Sequence, residues 1–291
     1  MAIKKILVVG HGSIGIRHLT MINTVFDHNI EIGVLRRKNG GDFQFVKYFS
    51  NYREAMAWNP CFTVIASPSN THADYLRKFR SSHVLVEKPA VISKKELSAM
   101  MTFDHNKMLK VGYNYRYHPE VINMKNYILK NSVKSVTLVH NDYLPNWHPW
   151  EDYRVSDASR DGAGLTLCHG LDLLLETFGI ESFQNLKVEK IKSDHLETEK
   201  ETQHCGYAKN SEFSIRWNIC IGTQSRTCFK ICILCHDNDY REFDFSNPIY
   251  PRNDTFVDQL KDIKQTIYEN KKFNNELEIK RAGEILRLCE G

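Results

Sequence analysis

The sequence predicts an α/β fold built as two consecutive domains, and three observations support this prediction. A short β-type run, Ile6–Val9, leads through a glycine-rich turn directly into a helical pattern. Strand and helix signals then alternate over the N-terminal part, as in a parallel sheet with crossover helices. From Val133 onward, strand-like runs dominate instead.

The length of 291 residues suits one large or two modest domains. We place them at 1–117 and 118–291, because the segment near Tyr115–Pro119 is a short crossing rather than a flexible linker.

The glycine-rich turn has the spacing G-x-G-x-x-G, directly after the first strand and directly before the first helix. The first glycine permits a tight turn, the second lets the backbone approach a pyrophosphate, and the third lets helix and strand pack closely. The N–H groups and the dipole of the helix N-terminus favour the phosphate charge. An ordinary turn is the alternative. The context favours a dinucleotide site of the Rossmann type, formed by Gly10, Gly12, Ser13, Ile14 and Gly15.

The end of the second predicted strand, Ile30–Leu35, indicates which dinucleotide binds. A carboxylate about 20 residues past the glycines would hold the ribose 2′-OH of NAD. This chain instead has Arg36, Arg37 and Lys38 at that point. Arginine grips a phosphate through paired hydrogen bonds, so the cluster favours NADP over NAD. The alternative is a solvated turn with ordinary surface charges.

Further along the first domain, polar loops follow the predicted strands. Asn51, with Glu54 three residues later, is expected to cap a short helix. Asn70 or Thr71 is expected to cap the helix after the next strand. Loops at the carboxyl ends of parallel strands are where open α/β sheets bind ligands. The predicted strands and the motifs after them are Phe62–Ala66 with Ser67–His72, His83–Val86 with Glu87-Lys88-Pro89, and Leu109–Val111 with Gly112–Pro119.

Composition and charge exclude several classes of protein. The net charge of +4 is mild and the basic residues are spread along the chain, which argues against nucleic-acid binding. No window approaches the roughly 18 apolar residues that span a bilayer, and the N-terminal apolar run is too short for a signal peptide. We therefore expect a cytoplasmic protein with reduced thiols. Cys232-x-x-Cys235 followed by His236 is a candidate metal-binding motif. It lies in an apolar strand-like run, however, so we predict no metal site.

Four motifs in this order and spacing resemble those of the Gfo/Idh/MocA family of NAD(P)-dependent oxidoreductases. They are the glycine turn, Ser67-Pro68-Ser69-Asn70-Thr71-His72, Glu87-Lys88-Pro89, and Asn114-x-Arg116. Two later segments, Trp147–Arg154 and Gly162–Asp172, are similar to a branch of that family from bacterial surface-sugar and nonulosonate pathways.

The resemblance implies a Rossmann domain followed by an α/β domain with a large, mostly antiparallel sheet. The pattern of the chain agrees with it, and the last helix is able to pack back on the first domain. The predicted strands are Ser135–Asp142, Leu186–Lys192, Ser211–Ile221, Thr227–His236 and Tyr240–Phe245, and the predicted helices are Leu165–Phe178, Thr255–Glu269 and Leu277–Cys289. The resemblance also implies a cis bond between Lys88 and Pro89.

Site residues are likewise implied by the resemblance. Lys88 and His169 are the expected catalytic pair beside the reacting carbon, because lysine near a nicotinamide and histidine near neutral pH both exchange protons. Further expected cofactor residues are Ser67, Pro68, Asn70, His72, Glu87 and Lys88.

One departure from the family pattern concerns the proton relay. Many members carry an aspartate three or four residues before the histidine, where this chain has Leu165 and Thr166. Thr166 is able to bond a substrate hydroxyl but carries no charge. Asp172 is a candidate to hold the His169 ring.

The substrate site is expected to combine aromatic and hydrogen-bonding side chains, which suit the apolar faces and polar rim of a sugar. Arg116 or Arg154 would pair with a carboxylate or phosphate on the substrate. A packed aromatic loop is the alternative. The candidate residues are Asn114, Tyr115, Arg116, His118, Trp147, His148, Asp152, Tyr153, Arg154, Thr166 and Asp172.

These features together predict an NADP-preferring oxidoreductase that acts on a sugar or sugar-derived acid, in bacterial glycan biosynthesis. A biliverdin-type reductase on the same scaffold and a non-catalytic NADP-binding regulator remain as alternatives. The outer face of the expected antiparallel sheet needs cover, so we expect a homodimer or homotetramer. We expect no nucleic-acid or membrane partner.

Overall fold

The computed structural model describes residues 3–26, 29–36, 43–149, 151–224 and 227–290. The first part of the chain alternates strands and helices. Its elements are β1 (Lys5–Val9), α1 (Ser13–Val25), β2 (Glu31–Leu35), β3 (Val46–Phe49), α2 (Tyr52–Ala57), β4 (Phe62–Ile65), α3 (His72–Lys78), β5 (His83–Val86), α4 (Lys94–Met101) and β6 (Leu109–Val111). The remaining elements are α5 (Pro119–Ile128), β7 (Val133–Asn141), α6 (Asp157–Thr166), α7 (His169–Phe178), β8 (Lys187–Ile191), β9 (Gln203–Lys209), β10 (Ser214–Cys220), β11 (Cys228–Cys235), β12 (Tyr240–Asp244), α8 (Arg252–Tyr268) and α9 (Asn275–Glu290).

The chain packs into two compact units. The first comprises Met1–Asn114 and Arg252–Ala282, and the second comprises Tyr115–Pro251 and Gly283–Gly291. The consecutive segments 1–117 and 118–291 expected from the sequence place α8 in the second domain. In the structure, α8 lies in the first unit because its apolar face, with Phe256, Leu260 and Ile263, is buried in that unit's core.

The first unit contains the predicted parallel sheet. Its strands have the order β3-β2-β1-β4-β5-β6, and every neighbouring pair is parallel. The strand order reverses between β1 and its neighbours β2 and β4, and the crevice at such a switch point is where doubly wound sheets bind ligands. Ile6, Val8 and Ile22 are fully buried between the sheet and the helices. This architecture is the Rossmann fold that the glycine turn predicts.

The second unit contains the other predicted sheet. Its strands have the order β12-β11-β7-β10-β9-β8. The pair β7–β10 is parallel and the other four pairs are antiparallel. Side chains alternate between a buried and a half-buried face, as β11 shows, with Phe229, Ile231 and Ile233 turned inward. The mixed, mostly antiparallel sheet confirms the predicted fold class.

Several elements differ from the sequence predictions, and helices α4 and α5, for example, were not individually predicted. The predicted helix Leu165–Phe178 is wrong as a single element, because the chain forms α6 and α7 with a break at Leu167 and Cys168. Strands β3 and β9 were not predicted. β3 has only four residues, and β9 is a polar strand interrupted by Gly206 that is held by its pairing with β8 and β10.

Candidate active site

The glycine turn at the end of β1 is built around two close backbone approaches. Gly10 has φ 103°, and a Cβ there would lie 2.4 Å from the carbonyl oxygen of Ala66. A Cβ on Gly15 would lie 2.3 Å from the carbonyl oxygen of Gly10. At Gly12 a Cβ would meet no described atom within 4 Å. The middle glycine therefore faces open space, where a ligand can approach the backbone.

The N-terminus of α1 fits an anion. Ser13 and Ile14 open the helix, its N-cap Gly12 provides no side-chain hydrogen bond, and the first described turn contains no acidic residue. Backbone N–H groups at such a terminus bind phosphate. The turn and the helix start therefore fit the pyrophosphate of a dinucleotide.

An aromatic and cationic cluster lies at the carboxyl end of β2. The guanidinium carbon of Arg36 lies 3.8 Å from the ring centroid of Tyr48 on β3. The Tyr48 hydroxyl accepts a 2.7 Å hydrogen bond from the Phe43 backbone, and His11 contacts both aromatic rings edge-on. The Tyr48 ring thus holds the Arg36 cation at the strand end. The predicted cofactor residue Arg37, together with Lys38, lies outside the described residues.

The loop after β4 is tied to the loop after β5 by His72. The two ring nitrogens of His72 lie 2.9 Å from the carbonyl oxygen of Pro89 and 2.8 Å from that of Ser67. His72 is only 2% exposed, so it braces these loops, whereas Pro68 and Asn70 are exposed. Thr71 holds the predicted N-cap position of α3, but its hydroxyl donates to the carbonyl of Pro68 and makes no cap hydrogen bond.

Glu87 and Lys88 directly follow β5. The Glu87 carboxylate lies 2.6 Å from Nε2 of His18 on α1, and its other oxygen accepts a 3.3 Å bond from the Lys88 backbone N–H. Burial raises the pKa of Glu87, but the His18 hydrogen bond and the nearby positive charges of Lys88 and Arg252 outweigh it and hold that pKa below its usual range. The Lys88–Pro89 bond is cis, as predicted.

Asn114, predicted to contact substrate, is fully buried in the first unit (0% exposed). Its amide nitrogen donates a 2.6 Å hydrogen bond to the hydroxyl of Thr255 on α8. This contact fixes the turn that follows β6.

In the second unit, Arg116 and Asp172 bind each other. The Arg116 guanidinium donates two hydrogen bonds, of 2.8 and 2.6 Å, to the two carboxylate oxygens of Asp172. The Asp172 side chain is 1% exposed and that of Arg116 is 13% exposed. The ring of His169 contacts the ring of Tyr115 edge-on, with centroids 4.9 Å apart. The expectation that Asp172 holds the His169 ring stays a prediction, and Arg116 is a described partner of the Asp172 carboxylate.

Thr166 ends α6 close to this group. It is buried, and its hydroxyl donates a 3.4 Å bond to the carbonyl of Ala158. The side chain at this position is therefore a neutral hydroxyl that is bonded to a backbone carbonyl.

The aromatic segment before α6 carries a network of its own. Arg154 donates bonds of 2.8 to 3.1 Å to Asp152 and Glu197. These bonds, with the charge of Arg154, hold the pKa of Asp152 below its usual range. The Tyr153 hydroxyl accepts from the backbone of Glu197. Nε1 of Trp147 is buried with no hydrogen-bond partner among the described residues.

Two further candidate substrate residues of the second unit are histidines. His118 caps α5 through Nδ1, and burial lowers its pKa. His148 is half-buried, and its ring nitrogen lies 4.0 Å from Glu151.

Sequence reasoning missed His18 and Tyr48. His18 carries a usable signal, because a histidine on the apolar face of an amphipathic helix needs a buried partner. Tyr48 carries none, since its strand was not predicted.

Cys232 and Cys235 lie on opposite faces of β11. Cys232 is half-buried on the outward face of β11, whereas Cys235 is buried on the inward face. Within the described ranges, no three His, Cys, Asp or Glu residues are grouped to hold a metal ion. No described helix is long and apolar enough to cross a bilayer.

The parallel sheet, the glycine turn at its switch point and the helix start define a dinucleotide-binding protein of the Rossmann class. Residues 4–115 match the Gfo/Idh/MocA family model, which is described as an oxidoreductase family with an NAD-binding Rossmann fold. This segment is therefore similar to the NAD-binding domain of that family.

Similar proteins are dehydrogenases. Glucose-6-phosphate 3-dehydrogenase of Bacillus subtilis (strain 168) is 28% identical over 152 residues, which are 49% of this chain and 43% of that protein. The match thus spans less than half the length of that relative.

Solved structures share the fold along the whole chain. GenD2 from gentamicin A biosynthesis, in complex with NAD, has a TM-score of 0.82 at 15% identity and covers 100% of this chain and 93% of its own. The WlbA (WbpB) dehydrogenase from Thermus thermophilus, in complex with NAD and UDP-GlcNAcA, has a TM-score of 0.73 at 19% identity, with coverages of 98% and 93%.

Proposed function

We propose that this protein is a nicotinamide-dependent oxidoreductase acting on a CH–OH group of a sugar or sugar-derived acid. The observation that carries the proposal is the glycine turn, open at Gly12, on the same sheet edge as Glu87-Lys88. Bound there, the nicotinamide would accept or supply the hydride. The sugar-type names of the similar proteins support the substrate class.

Lys88 and His169 are the residues we assign to proton transfer. An alcohol that loses hydride must also lose its hydroxyl proton, so a group that exchanges protons near neutral pH is required. Lysine and histidine both meet this requirement. Arg116 and Asp172 bind each other, so we assign them the role of holding the start of α7, which begins with His169.

NADP is the cofactor we favour. The cation of Arg36 follows β2 directly and is held against Tyr48, at the position where the adenine-side ribose is read in this fold. A guanidinium binds a 2′-phosphate through paired hydrogen bonds. The two solved neighbours are complexes with NAD. In our proposal, the preference of this chain for NADP therefore depends on Arg36.

We propose that the segment after β7 contacts the sugar substrate. The Trp147 indole N–H is a buried donor with no partner in the described part of the chain, and it stands close in sequence to Asp152 and Tyr153. A polar sugar rim supplies acceptors for such a donor. A role in glycan biosynthesis is the finer proposal, supported by the UDP-GlcNAcA complex of the Thermus neighbour.

We also propose that the protein is a homodimer or homotetramer. The outward face of the second sheet, with Thr137, Val139, Arg216 and Asn218, is half-buried or exposed in the single chain. The face of a six-stranded sheet is large enough to bury itself against a second copy.

Fluorescence titration with NADPH and NADH, at one fixed low salt concentration, tests the cofactor site. We expect NADPH to bind about tenfold or more tightly, because a charged hydrogen-bond pair contributes about 1.5–3 kcal/mol. Arg36→Asp should remove this preference. A turnover screen with nucleotide sugars and sugar acids follows, in which Lys88→Met should lower kcat by about 100-fold or more.

Lys95→Met is the matched control, because Lys95 is exposed on α4 of the same unit. It should leave binding and turnover unchanged. Absence of binding for both dinucleotides would contradict the proposal. Binding without turnover of any sugar, together with indifference to Lys88→Met, would favour the non-catalytic regulator.

A further inference from the structure

His18 is a polar residue on the apolar face of α1. It is fully buried (0% exposed), and its Nε2 lies 2.6 Å from Oε1 of Glu87. Since a carboxylate oxygen accepts, Nε2 carries the hydrogen and donates it. The other ring nitrogen, Nδ1, is buried without a hydrogen-bond partner within the described ranges. Among described residues, Glu87 is therefore the hydrogen-bond partner of His18.

Burying an imidazole here has a cost that an apolar side chain would avoid. A buried polar group destabilises the fold unless its hydrogen bonds are replaced, and Nδ1 has no replacement among the described groups. The neighbours of His18 on this face, Leu19 and Ile22, are apolar and buried. Helix packing alone would be served by a leucine at position 18. What histidine adds is a donor directed at Glu87.

Glu87 transmits this contact to Lys88. Its Oε2 accepts the Lys88 backbone N–H at 3.3 Å. A Cβ on Gly112 would lie 3.0 Å from the Glu87 carboxyl atoms, so the carboxylate fills the space beside that glycine. On the other side of the turn, His72 binds the Pro89 carbonyl at 2.9 Å. The turn that carries Lys88 is thus held from α1 and from α3.

We propose that His18 is a positioning residue: by holding the Glu87 carboxylate, it fixes the backbone of Lys88 and so directs the Lys88 side chain toward the reacting groups. The inference rests on the proposed function, in which Lys88 takes part in proton transfer. The proposal gives a residue of α1, the helix whose N-terminus fits the dinucleotide, a role in positioning Lys88.

Charge around the pair favours the ionised Glu87. The His18 ring contacts the edge of Phe256 on α8 at 5.3 Å, and the guanidinium groups of Arg17 and Arg252 lie 5.5 and 5.8 Å from the same Phe256 ring. The positive charges of Lys88 and Arg252 also lower the pKa of Glu87. Removal of His18 takes away the strongest influence that lowers the pKa of Glu87, so that pKa rises.

The test compares His18→Leu, which keeps the apolar packing, with His18→Gln, which restores an N–H donor. In the Leu variant, the Lys88 amide resonance should shift and its hydrogen exchange should accelerate by about tenfold or more. kcat should fall by about 10- to 100-fold, as for a displaced catalytic group, while the dissociation constant for NADPH changes less than about twofold. The acidic limb of the pH–rate profile should move to higher pH. The Gln variant should recover most of each change.

Ile22→Val, one turn along the same helix face, is the control for loss of packing and should leave kcat and the Lys88 amide unchanged. Gly112→Ala, which displaces the Glu87 carboxylate while His18 is kept, should reproduce the Leu phenotype and serves if His18→Leu does not fold. An unchanged Lys88 amide in both His18→Leu and Gly112→Ala would overturn the inference. If the amide responds but no variant or wild-type protein turns over a sugar, the proposed function fails and the positioning contact stands.

Discussion

Gly10 and Gly12 are two residues apart and are required for different reasons. Gly10 adopts φ 103° against the Ala66 carbonyl, so its lack of a side chain serves folding. Gly12 has an extended backbone with φ −83°, and a Cβ there has open space. Its lack of a side chain therefore serves only a ligand that approaches the turn.

Gly12→Ala is expected to leave the free energy of unfolding within about 0.5 kcal/mol of wild type, since the new methyl group meets no described atom. It should weaken NADPH binding by about tenfold or more, because the methyl group occupies the space that a pyrophosphate needs. Urea denaturation and fluorescence titration measure the two effects on the same preparation.

Gly10→Ala provides the contrast at the same turn. Positive φ and the 2.4 Å approach to Ala66 should reduce the free energy of unfolding by about 2–4 kcal/mol. Equal loss of stability in the two variants, or undiminished NADPH binding by Gly12→Ala, would contradict the assignment of Gly12 to the ligand.

Residue contacts that are local in the chain were predictable, and distant ones were not. Asn51 caps α2 by accepting from the Glu54 N–H at 3.0 Å, a contact three residues long that follows from side-chain chemistry. His18 and Glu87 are 69 residues apart, so only the fold brings them together. Hydrophobic periodicity alone could not name that partner.

At the scale of elements, α6 and α7 show where periodicity misleads. The apolar pattern continues across Leu165–Phe178, yet the helix is interrupted between α6 and α7. Within α6, Gly162 has φ 82°, and a Cβ there would lie 2.5 Å from the Glu201 carboxylate. Glu201 lies two residues before β9, a strand that was not predicted. A missed strand thus concealed the contacts that shape the helix pair.

The Arg116–Asp172 pair joins the turn before α5 to α7, and its loss should destabilise the second unit. Arg116→Met removes the cation and leaves the Asp172 carboxylate, 1% exposed, without that partner. Loss of one member of a buried pair costs about 3–5 kcal/mol. We expect a decrease of this size in the free energy of unfolding, measured by urea denaturation.

The double variant Arg116→Met/Asp172→Leu should recover most of that loss, since it removes both charges. Lys261→Met is the exposed comparison: Lys261 pairs with Asp258, and their side chains are 63% and 48% exposed, so its loss should cost less than about 1 kcal/mol. A cost at Arg116 no larger than that at Lys261 would show that the buried pair does not stabilise α7.

At the scale of the whole molecule, the sequence predicted the alternation of strands and helices but not their order in space. Strand and helix signals predicted both sheets, because burial imposes a period of two on strands and 3.6 on helices. Nothing in the pattern of α8 showed that Phe256 and Leu260 belong to the core of the first unit. That return of the chain depends on surface complementarity between distant segments.

The outward face of the second sheet is the basis for the proposed oligomer. One row across it runs from Cys205 through Asn218 and Val139 to Lys230, on four neighbouring strands. Val139 lies on β7, which has a paired strand on each side. It is therefore a central position at which a charge would be buried if two such faces stack.

Light scattering at micromolar concentration should give two or four times the chain mass of 33.9 kDa. Val139→Glu should return the protein to the single-chain mass. Its neighbour Lys230 already pairs with Glu242 and Asp244, and an additional carboxylate buried in a stacked interface costs several kcal/mol. Ile122→Glu is the matched control, since Ile122 is an apolar residue, 65% exposed on α5, away from the sheet face. It should leave the mass unchanged. A wild-type protein with the mass of one chain would remove the oligomer, and an assembly that withstands Val139→Glu would place the interface on another surface.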